Sequence, residues 1–592
     1  MLRAEGCEGI SARFDDLVAG TSVVLTHPRT VVATDRLDEV RAVVSAAEDC
    51  ARAGSWVALV VAYEAGPAFD AAQRVPPAAP GLPLAWFATF ADAVTGPPIH
   101  VTTPVTAPEL SRRGGTAWYV DRVDRCRETI AEGDAYQVNL TDRLVGRFHG
   151  DPTALYAQMA RAQGGAFNAL ITLPDRTIVS ASPELFFEVR GDTIASRPMK
   201  GTVARRPRAD DDAAAAAWLL ASEKDRAENV MITDLLRNDI GRIAEVGSVR
   251  VPALFELERY ETVWQLTSTI EGTIGDEVRL VDMFGALFPC GSVTGAPKVS
   301  AMRWIADAEP WPRGVYCGTI GLIRPCNEGE PRPNATFSVA IRTAIVHHAD
   351  GTIEYGAGCG ITADSIGELE DIELEAKTAV IVRDRPDHAL LETMRVEHGV
   401  VNHLALHLER MEASSRYFGF TFDRDAVARA CAESASSLGT SATHRLRLVV
   451  DRCGHAEVTV DPIDLVDTVV SIALSRTPMR SDDVFTCHKT TSRRVYEDAA
   501  AERPDVDDVV LANERGEVVE SCRANVLYRI DDRWFTPPLS SGGLAGVGRR
   551  LLLDLGVISE RVLLVAELPT IDEVHLVSAL RGRRRAVWSD RP

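Results

Sequence analysis

The 592-residue sequence sets a carboxylic acid, Glu184, and an amine, Lys200, within one short stretch, SASPELFFEVRGDTIASRPMKGT at 180–202. The apolar run from Glu184 to Val189 reads as a strand, Arg190-Gly191-Asp192 as a turn, and Thr193 to Ser196 as a second strand. Such a hairpin carries Glu184 and Lys200 to the same end of a sheet. There an acid and an amine could act as proton donor and nucleophile. Isolated charges on hairpins are mostly solvated, so the reading depends on what else the chain supplies.

It supplies two acidic helix faces. Asp225 and Glu228 lie at i, i+3 in SEKDRAENVMITDLLRND, and Glu370 and Glu373 at i, i+3 in ELEDIELEAK, with Lys377 a turn further on. Faces of this kind are usually salt-bridged surface. One glutamate from each would also suit Mg²⁺, a hard cation that takes one or two protein carboxylates and lets an anionic substrate complete its shell. GSVTGAPK, 291–298, opens a helix whose backbone N–H groups, with Lys298, could hold a carboxylate or phosphate. Its G-x-x-x-G-x-x-K spacing is not a phosphate-binding P-loop, and GAGCG at 356–360 is not a dinucleotide fingerprint.

The elements that must position these groups follow from periodicity. Leu37 to Ala53, Trp118 to Asp134 and Ser365 to Ile381 read as helices; 29–34, 56–66, 135–148, 260–274, 315–323, 335–347 and 351–361 read as strands. The stretch 204–243 reads as an Asp-rich loop that becomes one long helix. Charged, proline-containing VRDRPD (382–387) ends the last of these helices and marks the expected boundary between a domain at 1–383 and another at 388–592. The second reads as an α/β unit with strands at 390–399, 443–451 and 509–521. With 46% apolar and 25% charged residues, the expected class is α+β, soluble and globular. The net charge of −21 disfavours nucleic acid and anionic membranes as partners. Eleven scattered cysteines without a CxxC pair point to free thiols in a reducing cytoplasm. The longest apolar runs, 56–63 and 213–221, are too short to span a bilayer.

GDAYQVNLT, SPELFF, PMKGT, KDRAENVMITDLLRND, FPCGSVTGAPK, AIRT and AGCGITADS occur in this order. As a set over about 115–380 they resemble the chorismate-utilising enzymes. The resemblance implies a two-sheet β-sandwich flanked by helices. It implies Glu184 as general acid and Mg²⁺ held by Glu228 and Glu373 with Glu370 nearby. It also implies a substrate cradle of Arg342, Lys377, Lys298, Thr294 and the Gly291, Ser292 and Gly295 amides. Within the family, the third residue of P-x-x-G-T is typically Ala in anthranilate synthases and Lys in aminodeoxychorismate synthase component I; here it is Lys200. That implies nitrogen delivery to C4 of chorismate through a covalent adduct on Lys200. Gln265 stands where many relatives have His.

The second half carries HLALHLERMEASSRYFGF (403–420), FTCHKTTSRRVYEDA (485–499), GEVVESCRANVLY (516–528) and the Gly-rich TPPLSSGGLAGVGRR (536–550). This ordered set resembles the fold-type IV pyridoxal-phosphate enzymes, and among them aminodeoxychorismate lyase. The resemblance implies that Lys489 bonds the cofactor and that Glu520 pairs with its pyridine nitrogen. It implies that Arg410, the Val547 and Gly548 amides and Ser578 hold the phosphate, and it allows a dimerising domain. The loop lacks a Thr found in some relatives, and Val577 stands where Asn is frequent, which leaves aminotransferase activity open. The implied function is synthesis of 4-amino-4-deoxychorismate from chorismate and ammonia, followed by loss of pyruvate to give 4-aminobenzoate, a folate precursor. No cysteine sits in a glycine-flanked nucleophile turn, so the ammonia is expected from a separate glutamine amidotransferase. The rival readings are an anthranilate or salicylate synthase fused to an aminotransferase, and a non-catalytic scaffold for a glutaminase.

Overall fold

The computed structural model describes residues 9–100, 105–327, 329–382, 386–438, 442–465 and 468–589. Residues 383–385 of the expected linker lie outside that set. The chain divides into two compact units, one of Met1–Ala204 with Ala216–Arg385, the other of Arg205–Ala215 with Pro386–Pro592.

The first unit is a helix–sheet–sheet–helix sandwich, and its layering is written in alternation along the strands. In Trp56–Val61, Val57, Leu59 and Val61 face an outer helical layer, while Ala58 and Val60 face the opposite sheet. Each sheet has ten strands among the described residues. The helices Leu37–Arg52, Glu223–Gly241 and Leu280–Leu287 cover one outer face. Gly115–Ala131, Pro152–Gln163, Lys298–Ala308 and Gly367–Val382 cover the other. This is the two-sheet architecture expected from the sequence.

The central hairpin pairs Leu185–Arg190 with Thr193–Arg197. Lys200 lies beyond its end, on Met199–Ala204, which pairs with Val263–Thr273, the same strand that borders Thr193–Arg197. The register slips between Met199 and Thr202, where Gly201 has φ +90°. Bulges of this kind re-aim side chains. Two expectations change. The Asp-rich start of 204–243 is helical, as Ala209–Ala221, and a second helix, Glu223–Gly241, follows with Ser222 capping it through the Asp225 N–H. Asp210, Asp211 and Asp212 occupy a first helical turn, where acids suit the helix dipole, and the alanine run continues it. The expected strand at 509–521 is a hairpin of Asp508–Ala512 and Val518–Ser521, because Asn513 to Gly516 forms a turn and Gly516 has φ +74°.

The second unit combines two sheets. The four-stranded one is backed by Leu404–Phe418 and Arg424–Ser436. In the eight-stranded one, Val518–Ser521 pairs both with Asp508–Ala512 and with Asn525–Ile530, closing the sheet into a barrel. Among the described residues no helix is long and apolar enough to cross a membrane.

In the first unit, fully buried Phe284 meets the rings of Phe69, Phe186, Phe187, Phe288 and Phe337. It ties the strand after Glu184 to the helical layer. Phe284→Ala is expected to cost about 3–5 kcal/mol, read as an earlier midpoint in denaturant unfolding followed by tryptophan fluorescence. An unchanged midpoint would show that the cluster does not hold the layer.

Candidate active sites

Glu184 directly precedes the strand Leu185–Arg190 and is 3% exposed. Its backbone is fixed by an N–H donated to Ser182 Oγ and a carbonyl that accepts from the Val339 N–H. Among the described residues its carboxyl oxygen Oε1 has no hydrogen-bond partner. Burial pushes the carboxyl up to about 7, against the opposing pull of a Ser292 hydrogen bond and the Lys200 charge. Burial also lowers the Lys200 ammonium below the usual lysine range, and the Lys377 charge adds to it. Both groups are thus moved toward their neutral forms.

Two residues outside the expected set shape this pocket. Gln137 is fully buried, and among the described residues neither its amide oxygen nor its amide nitrogen has a partner. Gly360 sits on the neighbouring strand, and a Cβ there would lie 2.4 Å from Gln137 Nε2 and 2.6 Å from Lys200 Nζ. Gly360 therefore leaves the space in which the amine sits. The available signal for Gln137 was an amide at the start of a strand, Gln137–Arg147, that is buried over its first eight residues despite its interleaved polar side chains.

The two acidic helices converge near the same amine. One ligand atom each from Cys359, Glu370 and Glu373 lies within 4.8 Å of the others. Lys377 Nζ donates to Glu373 Oε1 (2.8 Å) and to the Gly358 carbonyl (2.8 Å), and Ser365 donates to Glu370 Oε1 (2.7 Å). Lys377 holds Glu373 below the ordinary range, whereas burial raises Glu370 and Glu228. Lys200 feels the charge of Glu228, and Glu228 in turn feels that of Glu370. This set of hard carboxylate oxygens fits Mg²⁺. The Cys359 thiol, pushed by burial to about 12, stays protonated and is no ligand for that ion.

The substrate-cradle candidates divide. Arg342 adopts φ +50°, a left-handed conformation rare outside glycine and common where a site holds strain. Its guanidinium donates to Gln163 Oε1, and the buried Gln163 amide nitrogen has no partner among the described residues. Gly291, Ser292, Thr294 and Gly295 are all buried, with Ser292 beside Glu184. Thr294 spends its hydroxyl on the Cys290 carbonyl, closing the loop. Lys298 is not brought to the others: its ammonium is committed to Asp239 (2.9 Å) and the Leu287 carbonyl (3.0 Å). A cavity of about 160 Å³ lined by Phe14, Asp16, Phe167, Arg190 and Arg324 contains none of these side chains.

In the second unit, Lys489 follows the short helix Val484–Cys487, and its carbonyl accepts from the Leu391 N–H. Burial lowers its amine to about 8, helped by the Arg410 charge. Glu520, on Val518–Ser521, is raised by burial to about 7, although Tyr496 donates to it (2.8 Å), as does Asn525 (3.1 Å). Arg410 forks onto Glu392 (2.8 and 2.7 Å) and donates to the Ala545 carbonyl (3.0 Å). That bond ties it to the glycine-rich loop before Val547–Asp554. A Cβ on Gly548 would lie 2.9 Å from the Ser578 carbonyl carbon, so the helix start and Ser578 abut. A weakened amine, a buried acid coupled to it and a cationic, glycine-lined helix start fit pyridoxal phosphate. Tyr496 and Glu392 carry no motif signal of their own, and only folding brings them to Glu520 and Arg410.

Comparisons with known proteins agree with this division. Residues 98–383 match the family of chorismate binding enzymes, and residues 389–587 the class IV amino-transferases. Aminodeoxychorismate synthase component 1 of Escherichia coli strain K12 is 41% identical over 252 residues, covering 43% of this chain and 54% of that protein. Anthranilate synthase component 1 of Streptomyces coelicolor is 38% identical over 279 residues, covering 46% and 52%. The chain thus spans about half the length of these curated relatives. The structure of anthranilate synthase component I from Streptococcus pneumoniae superposes with a TM-score of 0.53 at 25% identity, covering 61% of this chain and 92% of that one.

The Glu184 carboxyl is expected to titrate near pH 7, seen by isotope-edited infrared spectroscopy as a band absent from Glu184→Gln. Ser292→Ala should move it higher, because that hydrogen bond favours the carboxylate. The folded state holds this proton longer than the unfolded state, so ionising Glu184 costs stability progressively as pH rises from about 4.5 to about 7. A midpoint near 4.5 would refute the desolvated site.

Proposed function

Because one chain joins a chorismate-binding-enzyme domain to a class IV amino-transferase domain, we propose that it makes 4-aminobenzoate from chorismate in two steps. The first domain replaces the C4 hydroxyl of chorismate by an amine. The second removes pyruvate from the resulting 4-amino-4-deoxychorismate. The observation that carries this reading is Lys200: a desolvated amine that feels the charge of the buried Glu184 acid, in space that Gly360 leaves open for it.

In the first step the neutral Lys200 amine adds at C2 of chorismate. The ring double bond shifts, the C4–oxygen bond breaks, and Glu184 gives its proton to the departing hydroxyl, which leaves as water. Ammonia then adds at C4, the double bond returns, and Lys200 leaves as a free amine. Arg342 and Lys377, both half-buried, receive the substrate carboxylates, and partial desolvation strengthens each of those contacts. Glu228, Glu370 and Glu373 would hold Mg²⁺, which supplies positive charge toward a substrate carboxylate. In the second domain, Lys489 takes the C4 proton, Glu520 and Asn525 orient the ring system, and Arg410 with the Val547–Gly548 helix start anchors an anionic group. Pyridoxal phosphate bound there would supply the electron sink for that deprotonation. Loss of the enolpyruvyl group as pyruvate leaves an aromatic ring. The nitrogen source is ammonia released by a separate glutamine amidotransferase.

A second reading, C2 amination to anthranilate, is favoured by the 38% identity to an anthranilate synthase component. Product identification separates the two. Incubation with chorismate, ammonium, Mg²⁺ and pyridoxal phosphate is expected to give 4-aminobenzoate and pyruvate by chromatography and mass spectrometry; anthranilate as the main product would overturn the proposal. Lys200→Ala should abolish the C4-aminated product. Lys489→Ala should stop at 4-amino-4-deoxychorismate, with the second step slowed by about 10²–10⁴-fold. Glutamine should replace ammonia only when a glutaminase subunit is added, and brisk glutamine use by the pure chain would sink that part.

A further inference from the structure

Residues Arg205–Ala215 lie in sequence between Lys200 and Glu228, yet they belong to the unit that carries Lys489. The segment is pinned there by a buried ion pair. Arg205 Nε donates to both oxygens of Asp212 (2.9 and 2.7 Å), and each of these side chains is 4% exposed. Asp212 also accepts the Arg206 backbone N–H (2.8 Å), so the two residues close the segment into a loop. The Arg205 guanidinium lies 4.2 Å over the ring of Tyr417 and donates to the Tyr417 carbonyl (2.8 Å). Ala209 packs against the core below.

The loop so formed directs one backbone carbonyl at a functional neighbour. Pro207 C=O lies 3.1 Å from His488 Nε2, and Ser414 Oγ lies 2.9 Å from His488 Nδ1. A carbonyl only accepts, so Nε2 carries the proton and Nδ1 accepts from the Ser414 hydroxyl. The ring is also packed 4.4 Å from the Tyr417 centroid and is 5% exposed. Burial drives His488 down to about 3, so it stays neutral and, with both nitrogens engaged, is not a proton carrier. What the arrangement does is fix the residue that immediately precedes Lys489.

We propose that Arg205–Asp212 is a positioning segment for Lys489, acting through the Pro207–His488 hydrogen bond. The proposal rests on the reading that Lys489 bonds pyridoxal phosphate. An amine that must meet an aldehyde carbon along one trajectory loses rate when its backbone is free to shift, by up to about 10²-fold for an ångström of displacement. The segment acts through the backbone at His488, and so sets where Nζ points.

The test uses the full-length protein freed of cofactor. The rate of the absorbance change on adding pyridoxal phosphate, the fraction of cofactor fixed by borohydride and the melting temperature are measured for the parent, Lys489→Ala, Arg205→Ala, His488→Ala and His488→Gln. The parent is expected to fix cofactor, and Lys489→Ala is not. Arg205→Ala and His488→Ala should bond cofactor about tenfold or more slowly. His488→Gln should recover most of the parent rate, because its amide can still donate to Pro207 and accept from Ser414. A purely structural role would lower the melting temperature of all three variants and leave the rate unchanged; that result overturns the proposal. If Arg205→Ala loses its melting transition, the two His488 variants decide: equal rates for Ala and Gln overturn it, and recovery by Gln alone upholds it. A parent that fixes no more cofactor than Lys489→Ala overturns the cofactor reading, and this inference with it.

Discussion

Taking an acid and an amine out of water together is the constraint around which both units are built. Water stabilises a carboxylate and an ammonium ion, and a desolvated site withdraws that support from each. In the first unit burial is the largest influence on both Glu184 and Lys200, and it moves them in opposite directions toward neutrality. The same holds for Glu520, raised to about 7, and Lys489, lowered to about 8. Their mutual attraction works against that shift in each pair and does not outweigh it. A protonated acid and a free amine near neutral pH are what proton donation and nucleophilic attack require.

Keeping these groups dry falls to the sandwich. The strand that follows Glu184 contributes Phe186 and Phe187 to the aromatic cluster around Phe284, so the acid is anchored beside that cluster. Lys200 reaches the pocket from a register slip, and Gly360 leaves the room it needs. Arg342 is held in a left-handed backbone conformation between the strands Ala335–Val339 and Thr343–His347. Close-packed layers tolerate such local strain because the surrounding contacts over-determine the backbone. The protein is acidic overall, but the first unit sets Lys377 close enough to Lys200 for the amine to feel its charge. Net charge speaks to solubility and general partners, and a single pocket can carry the opposite sign.

Much of this was legible in the residues. Alternation along Trp56–Val61 marks which side chains face helices and which face the opposite sheet, because successive strand residues must point to opposite faces. The spacing of Glu370, Glu373 and Lys377 places them along one helix face whatever the helix packs against. Lys200 and Lys489 are identifiable because motifs flank them in a fixed order. The Asp-rich stretch at 209–212 reads as a loop yet is helical, because acids favour both turns and helix starts and the alanines that follow decide between them.

What the linear order left open was which faces meet. Gln137 and Gly360 border the Lys200 amine through strand pairing between Gln137–Arg147 and Thr352–Ile361, which are far apart along the chain. Lys298 looks like an anion-binding lysine at a helix start, and tertiary packing commits it to Asp239 instead. Glu392 orients Arg410, and Tyr496 donates to Glu520, through contacts that only folding makes. Most of all, Arg205–Ala215 sits between two residues of the first site and folds with the other unit. By itself, then, the sequence determined the local conformations, the faces and the reactive residue types, since these depend on neighbours a few residues away. Only the tertiary structure decided the partners, the desolvation and hence the protonation of those residues. Such properties arise from long-range contacts that no local pattern encodes.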